Sequence, residues 1–406
     1  MTSRPLDPRV RSLIEAQLSR RSVLLGAAGL TALAACGASG TPSGGGGGAT
    51  ATGPAKPSPA ADRSATEKTV NWANWTLYLD YDEDTKKYPT LEAFQKKTGI
   101  KATYAEDIDD NDTYYGKIAG QLRNGQDIGK DLIVLTDWMA GRCIRAGYVQ
   151  QLDAAAVPNA KNLLPELRDV DFDPGRKYSL PWQGIFAVLA WNKQKVPGGL
   201  KNVSDLWKPE LKGRVEVLSE MRDTTGLIMS EQGADITKFT STQFENAITE
   251  LEKQITSGQI RQVKGNSYKE DLISGDALAV IGWSGDIFQI NAENGDKWGF
   301  TVPEAGGTYS FDTLLIPVGS PHKANAEKLI DYYYDPKVAA TVAAYVNYVC
   351  PVAGAQQEME KIDPELATSP WIFPDEATLK KNKKFRTLTP DEDTRFSESF
   401  QKVIGN

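Results

Sequence analysis

One histidine and three cysteines in 406 residues leave few groups for nucleophilic, redox or metal chemistry. His322 stands in GSPHKANAEKL at the expected start of a helix, where capping is the ordinary role. There is no histidine cluster, paired-cysteine motif or GxSxG elbow, and Cys143 and Cys350 lie far apart in the chain, expected as free thiols. The acidic run at 106–112 lacks the glycine and distal glutamate of an EF-hand loop, so it reads as a solvated, helix-capping loop. Neither a metal nor a cofactor is expected. A basic surplus is missing as well: the formal charge is −7, and the first 35 residues hold five Arg against two acids, which leaves the remainder at −10. That balance disfavours nucleic acid and suits a cationic ligand.

What is present begins with SRRSVLLGAAGLTALAACG at 19–37: paired arginines, a 13-residue apolar run at 23–35, then Cys36. The run is too short to span a bilayer and has the layout of an export signal. Its arginine pair resembles the twin-arginine signal, with Val23 and Leu25 in place of the usual Phe and Lys. LAAC at 33–36 resembles the bacterial lipobox more closely, which implies cleavage before Cys36 and lipidation of its thiol. Five consecutive glycines at 44–48, followed by Pro54, Pro57 and Pro59 among Ala and Ser, cannot bury a core. They predict a tether that reaches about 30 Å as a coil, with the folded part starting near Lys68.

From Lys68 onward strands and helices alternate. Strands are expected at 70–75, 101–105 and 132–136, with helices at 91–98, stopped by Gly99, and at 113–122 behind an Asp112 cap. A second set follows YSLPW at 178–182: strands at 214–218, 278–281, 299–302 and 312–317, and helices through Phe244, Ala247, Ile248, Leu251 and Ile255 and at 324–334. Two α/β lobes result, with residues 68–180 and 312–347 in one and 181–311 and 348–406 in the other. The chain is expected to cross between them three times, near Leu180, Phe311 and Asn347, with a separate sheet in each lobe and a ligand cleft between.

IGWSGDIF at 281–288 ends an apolar run with Trp283 and Asp286. An aromatic face attracts a cation and covers methylenes, and a carboxylate accepts charge-assisted bonds from an amine. Tryptophan is more often core filling, so this stretch gains weight only from the rest of the chain.

Eight motifs supply that weight: NWTLY at 74–78, LEAFQKKTGIK at 91–101, DLIVLT at 131–136, YSLPW, DLWKPELKG at 205–213, IGWSGD, FDTLLIP at 311–317 and NYVCP at 347–351. Their order resembles that of the spermidine and putrescine receptors of bacterial ABC importers, over nearly all of 68–406. The resemblance implies the two-lobed periplasmic-binding-protein fold and a non-enzymatic, monomeric receptor outside the cytoplasmic membrane. Its implied partners are a polyamine, an ABC permease with its ATPase, and the membrane through Cys36, with spermidine favoured over putrescine.

Carried over by position, the resemblance implies that Trp75 and Tyr78 form one aromatic wall with Thr76 between them. Thr136 is the hydroxyl after its strand, and Trp138 stands where the spermidine branch has a tyrosine. Glu220 and Asp223 match two acids of that branch, Asp286 an acid of the putrescine branch, and Asp312 the acid of both. Trp283 and Tyr348 would pack along the ligand. Three positions depart: Leu77 replaces an acid, Ser310 an aromatic residue, and Phe385 a glutamine. Burying such acids without a cation is costly, so a ligand should favour closure, and removing Asp286 or Asp312 should leave the empty protein as stable or more so. A receptor for another organic cation, motivated by Leu77 and Ser310, and an exported hydrolase are the competing readings.

Overall fold

The computed structural model describes residues 56–405, so the expected export signal, Cys36 and most of the expected tether lie outside the described residues. The packed chain starts before Lys68. Ala60 and Arg63 donate backbone bonds to Val318 and Pro321 at 2.9 and 2.7 Å, and Ser64 is buried. His322 explains part of this docking. It heads its helix without a side-chain cap, and its buried ring instead joins Asp131 at 3.0 Å to Glu67 at 2.8 Å.

The first parallel set comprises β1 (Thr69–Trp75), β2 (Lys101–Ile108) and β3 (Leu132–Thr136), with β1 between the other two. Parallel neighbours need crossover helices, supplied by Pro89–Thr98 and Asn111–Arg123. Gly99, at φ 70°, takes the left-handed cap that ends the first of them. The second begins two residues earlier than the sequence suggests, because Asp110 rather than Asp112 accepts the Thr113 N–H.

β4 (Ser179–Asn192) is fourteen residues long, well beyond its visible motif YSLPW. The second parallel set is β5 (Val215–Leu218), β6 (Ile260–Lys264) and β7 (Ala279–Trp283), joined through helices Met221–Glu231, Ser241–Thr256 and Tyr268–Ser274. β8 (Trp298–Thr301) pairs with β4, and β9 (Gly307–Leu315) leads back to the first set.

The strand order is β2-β1-β3-β9-β4-β7-β5-β6, one hydrogen-bonded path where two separate sheets were expected. The cause is the length of β4 and β9. Residues 179–186 of β4 pair with β9, and residues 187–191 pair with β7, so one strand serves both halves. The chain hands over near Phe186 and near Tyr309–Asp312, and Asn347, at φ 56°, ends helix Pro336–Val346 just before Val349 exchanges backbone bonds with Gly184. After that, β10 (Asn382–Lys383) pairs with β9, and helix Pro390–Ile404 packs on Ser241–Thr256. Cys143 and Cys350 are free and buried.

Candidate functional site

Where open α/β sheets bind ligands, they do so at the carboxyl ends of their strands. Here both parallel sets end at one slot. β1 finishes with Trp75, β3 with Thr136 and β7 with Trp283, while Glu220 stands two residues beyond β5. Asp312 sits on β9 in register with Thr136. Asp286 falls in the first turn of helix Ser284–Asn294, where partial positive charge favours a carboxylate.

Ten of the eleven expected residues line this slot, with Ile185, Asn266 and Ser310 added: Trp75, Thr76, Tyr78, Thr136, Glu220, Asp223, Trp283, Asp286, Asp312 and Tyr348. Trp75 meets Trp283 edge-on at 6.1 Å, and Tyr78 meets Tyr348 at 5.0 Å. Hydrogen bonds hold the rings. The Trp75 indole donates to the Val134 carbonyl at 3.1 Å and the Trp283 indole to Asp223 at 2.9 Å. Gly285 is required beside them, because a Cβ there would lie 2.3 Å from the Tyr348 ring.

The slot holds only about 20 Å³ of free space, room for one methylene or ammonium. A compartment of about 420 Å³ adjoins it, and Thr136, Glu220, Asp223 and Ser310 line both. Ser310 therefore opens the slot where an aromatic ring was expected. Of its neighbours, Tyr309 stacks on Phe186 at the compartment wall, and Phe311 is buried away from both spaces.

The eleventh residue, Trp138, lines the compartment instead. Its indole donates to Glu220 at 3.0 Å, and its face is covered by the Arg222 guanidinium at 3.9 Å. Trp138 thus orients the Glu220 carboxylate from the compartment side. Phe385 also lines the compartment, against Phe239. Leu77 is held at φ 58° by the Glu106 carboxylate on its N–H and by Gln289 on its carbonyl, and it does not line the slot.

Four acids here are held out of water. Burial pushes Glu220 up to about 8, with Asp223 adding to the rise and Arg222 opposing it. Burial likewise pushes Asp312 up to about 7, against hydrogen bonding from Thr136 at 2.8 Å. The buried Tyr78 hydroxyl also faces Asp312 and, with Thr136, opposes that rise. Asp223, accepting from Thr308 and Trp283, and Asp137, at the compartment wall, are also raised by burial.

These shifts have a direct consequence. A carboxyl whose folded pKa is raised stabilises the fold while protonated, and that contribution is lost as pH climbs through the raised value. The unliganded protein is therefore expected to melt higher at about pH 6 than at about pH 8.5, with Glu220→Gln flattening the slope in scanning calorimetry.

Asp286 differs from the other acids. Its two oxygens accept from Tyr348, Asn266, Tyr268 and the Lys269 ammonium, all within 3.0 Å. Sequence reading missed Lys269, and also Asp137 and Asn111. Asn111 lies inside the run taken for a solvated loop, yet it is buried and bridges Thr136 and Glu220. Its signal was its place behind the Asp110 cap.

Residues 90–373 match the bacterial extracellular solute-binding protein family. The chain belongs to that family. This solute-binding protein is 28% identical over 360 residues to the putrescine-binding periplasmic protein PotF of Escherichia coli, covering 84% of the chain and 92% of the relative. It is 26% identical over 345 residues to the spermidine/putrescine-binding periplasmic protein of Salmonella typhimurium, covering 85% and 94%. The crystal structure of the spermidine/putrescine ABC transporter substrate-binding protein PotD from Streptococcus pneumoniae superposes with a TM-score of 0.66 at 23% identity, over 83% of this chain and 98% of that one. The fold is accordingly the mixed α/β, two-lobed one of periplasmic binding proteins, as the sequence suggested. No helix among the described residues is long and apolar enough to cross a membrane.

Proposed function

We propose that this solute-binding protein captures polyamines at the strand-end slot and hands them to the permease and ATPase of an ABC importer. The observation that carries this reading is an aromatic slot flanked by Glu220, Asp223 and Asp312, all buried and none with a cation at hydrogen-bond distance among the described residues. A polyamine alternates methylenes with ammonium groups, so rings cover its chain while acids take its ends. The names of the curated relatives point the same way. Residues 68–180 and 312–347 would move against 181–311 and 348–406 to admit the chain, since the slot holds so little free space.

Spermidine is expected to bind more tightly than putrescine. Three acids outnumber the charges of a diamine, and each buried acid left unpaired costs about 1–3 kcal/mol. Competition calorimetry with diamines, triamines and amino acids tests this, and a clear preference for putrescine would overturn it. Lys384 and Arg145 on the compartment wall favour a second reading, an organic cation that also carries an acid group, for which the amino-acid arm is the test.

A lipid anchor on Cys36 would keep the receptor on the outer face of the cytoplasmic membrane as a tethered monomer. Cys36→Ser is expected to move the protein from the membrane to the soluble fraction on cell fractionation, with its ligand affinity unchanged.

A further inference from the structure

Lys269 lies on helix Tyr268–Ser274, its side chain only 9% exposed, and it reaches Asp286 Oδ1 from behind the slot without lining it. A carboxylate offers about four lone-pair positions. In Asp286 the protein uses all four: Lys269 and Tyr348 donate to Oδ1 at 3.0 and 2.8 Å, and Asn266 and Tyr268 to Oδ2 at 3.0 and 2.9 Å. Tyr268 has no freedom to turn away, because its hydroxyl oxygen accepts the Trp283 N–H at 2.8 Å and its proton is thereby directed at Asp286. The contrast with Asp312 is one of kind: Thr136 donates to it at 2.8 Å and Tyr78 faces it, but among the described residues no lysine or arginine reaches it at ion-pair distance.

We infer that Lys269 is a resident ammonium that satisfies Asp286 and so sets the number of charges the ligand carries. An alkyl ammonium on a four-carbon stem is chemically one end of a polyamine, and here the chain supplies that end itself. Asp286 still shapes the slot by orienting Tyr348 and fixing the Tyr268–Trp283 contact. Ligand ammonium groups are left to Glu220, Asp223 and Asp312, and Lys269 is the specificity-determining residue.

The ranking of ligands rests on the polyamine reading, whereas the ion pair does not, and the experiment separates the two. Putrescine, spermidine and spermine are titrated by competition calorimetry into the full chain, into Lys269→Met, and into Lys269→Met/Asp286→Asn. Lys269→Met frees one acid and is expected to raise the affinity ratio of spermine over spermidine about tenfold. The double variant removes both charges, so it keeps a folded comparison even if the single variant unfolds, and it is expected to restore the original ratio. An unchanged ratio in Lys269→Met overturns the inference, as does a tenfold loss of spermidine affinity in the double variant, which would make Asp286 a ligand acceptor. If the unaltered protein binds none of the three amines, the polyamine reading fails and melting curves decide the ion pair. Butylammonium chloride should then raise the melting temperature of Lys269→Ala above a sodium chloride control, and not that of Lys269→Ala/Asp286→Asn. Equal response of the two overturns it.

Discussion

On the proposed polyamine reading, Asp312→Asn is expected to lower polyamine affinity by about ten- to a hundredfold and to leave the unliganded protein as stable or more stable. Asp312 is 2% exposed, and burial raises its pKa to about 7 although Thr136 donates to it. At neutral pH the empty slot therefore holds an acid that is partly protonated. A ligand ammonium arriving there would ionise it and form a charge-assisted bond in a dry site, an interaction of about 1.5–3 kcal/mol. Asparagine keeps the shape and the Thr136 contact but not the charge, so the loss falls on the complex. Because ionisation accompanies binding, affinity for the unaltered protein should rise between about pH 6 and about pH 8 with release of a proton, and Asp312→Asn should reduce both effects. Calorimetric titration in two buffers of different ionisation heat measures affinity and protons together. An unchanged affinity in Asp312→Asn would place the ligand elsewhere.

Asp286→Ala is expected to show the opposite signature, a large loss of stability in the absence of ligand. This departs from the expectation that every acid of the cleft repels its neighbours in the empty protein. Asp286 is instead balanced by Lys269, and both side chains are nearly inaccessible. Removing one partner of a buried ion pair strands the other in a medium that solvates it poorly, at about 3–5 kcal/mol. Asp109 and Glu106 feel the Lys269 charge but do not reach its ammonium at ion-pair distance. Tyr348 and Asn266 also lose their acceptor. Equilibrium urea unfolding of the unliganded variant checks the magnitude, and a midpoint equal to that of the unaltered protein would show that the pair is not formed in solution.

Periodicity and motif order carried most of the architecture. The helix at Ser241–Thr256 follows from apolar residues at helical spacing, and Gly99 ends Pro89–Thr98 because only glycine takes φ 70° there without strain. Ten of the eleven candidate residues line the slot and were named from local motifs: Trp75, Thr136 and Trp283 end strands, Thr76, Tyr78 and Glu220 follow them, Asp223 and Asp286 open helices, Asp312 lies within β9, and Tyr348 follows helix Pro336–Val346. The single strand path was not legible, since the second half of β4 (187–192) is an unbroken apolar run ending in Trp191 that periodicity cannot assign to one partner sheet or another.

What tertiary structure alone decided was the state of each acid. In the sequence Asp286 and Asp312 are alike in standing beside apolar strand segments, Asp286 after one and Asp312 before one. One meets a lysine seventeen positions away together with two tyrosines and an asparagine, and the other meets a threonine from another strand. Trp138 likewise sits outside the slot, on the wall of the adjoining compartment, with the Arg222 guanidinium over its face. Charge balance in a buried site depends on distances of a few ångströms between residues remote in the chain. Composition and local spacing determine which groups are available, and only packing determines which of them are already paired.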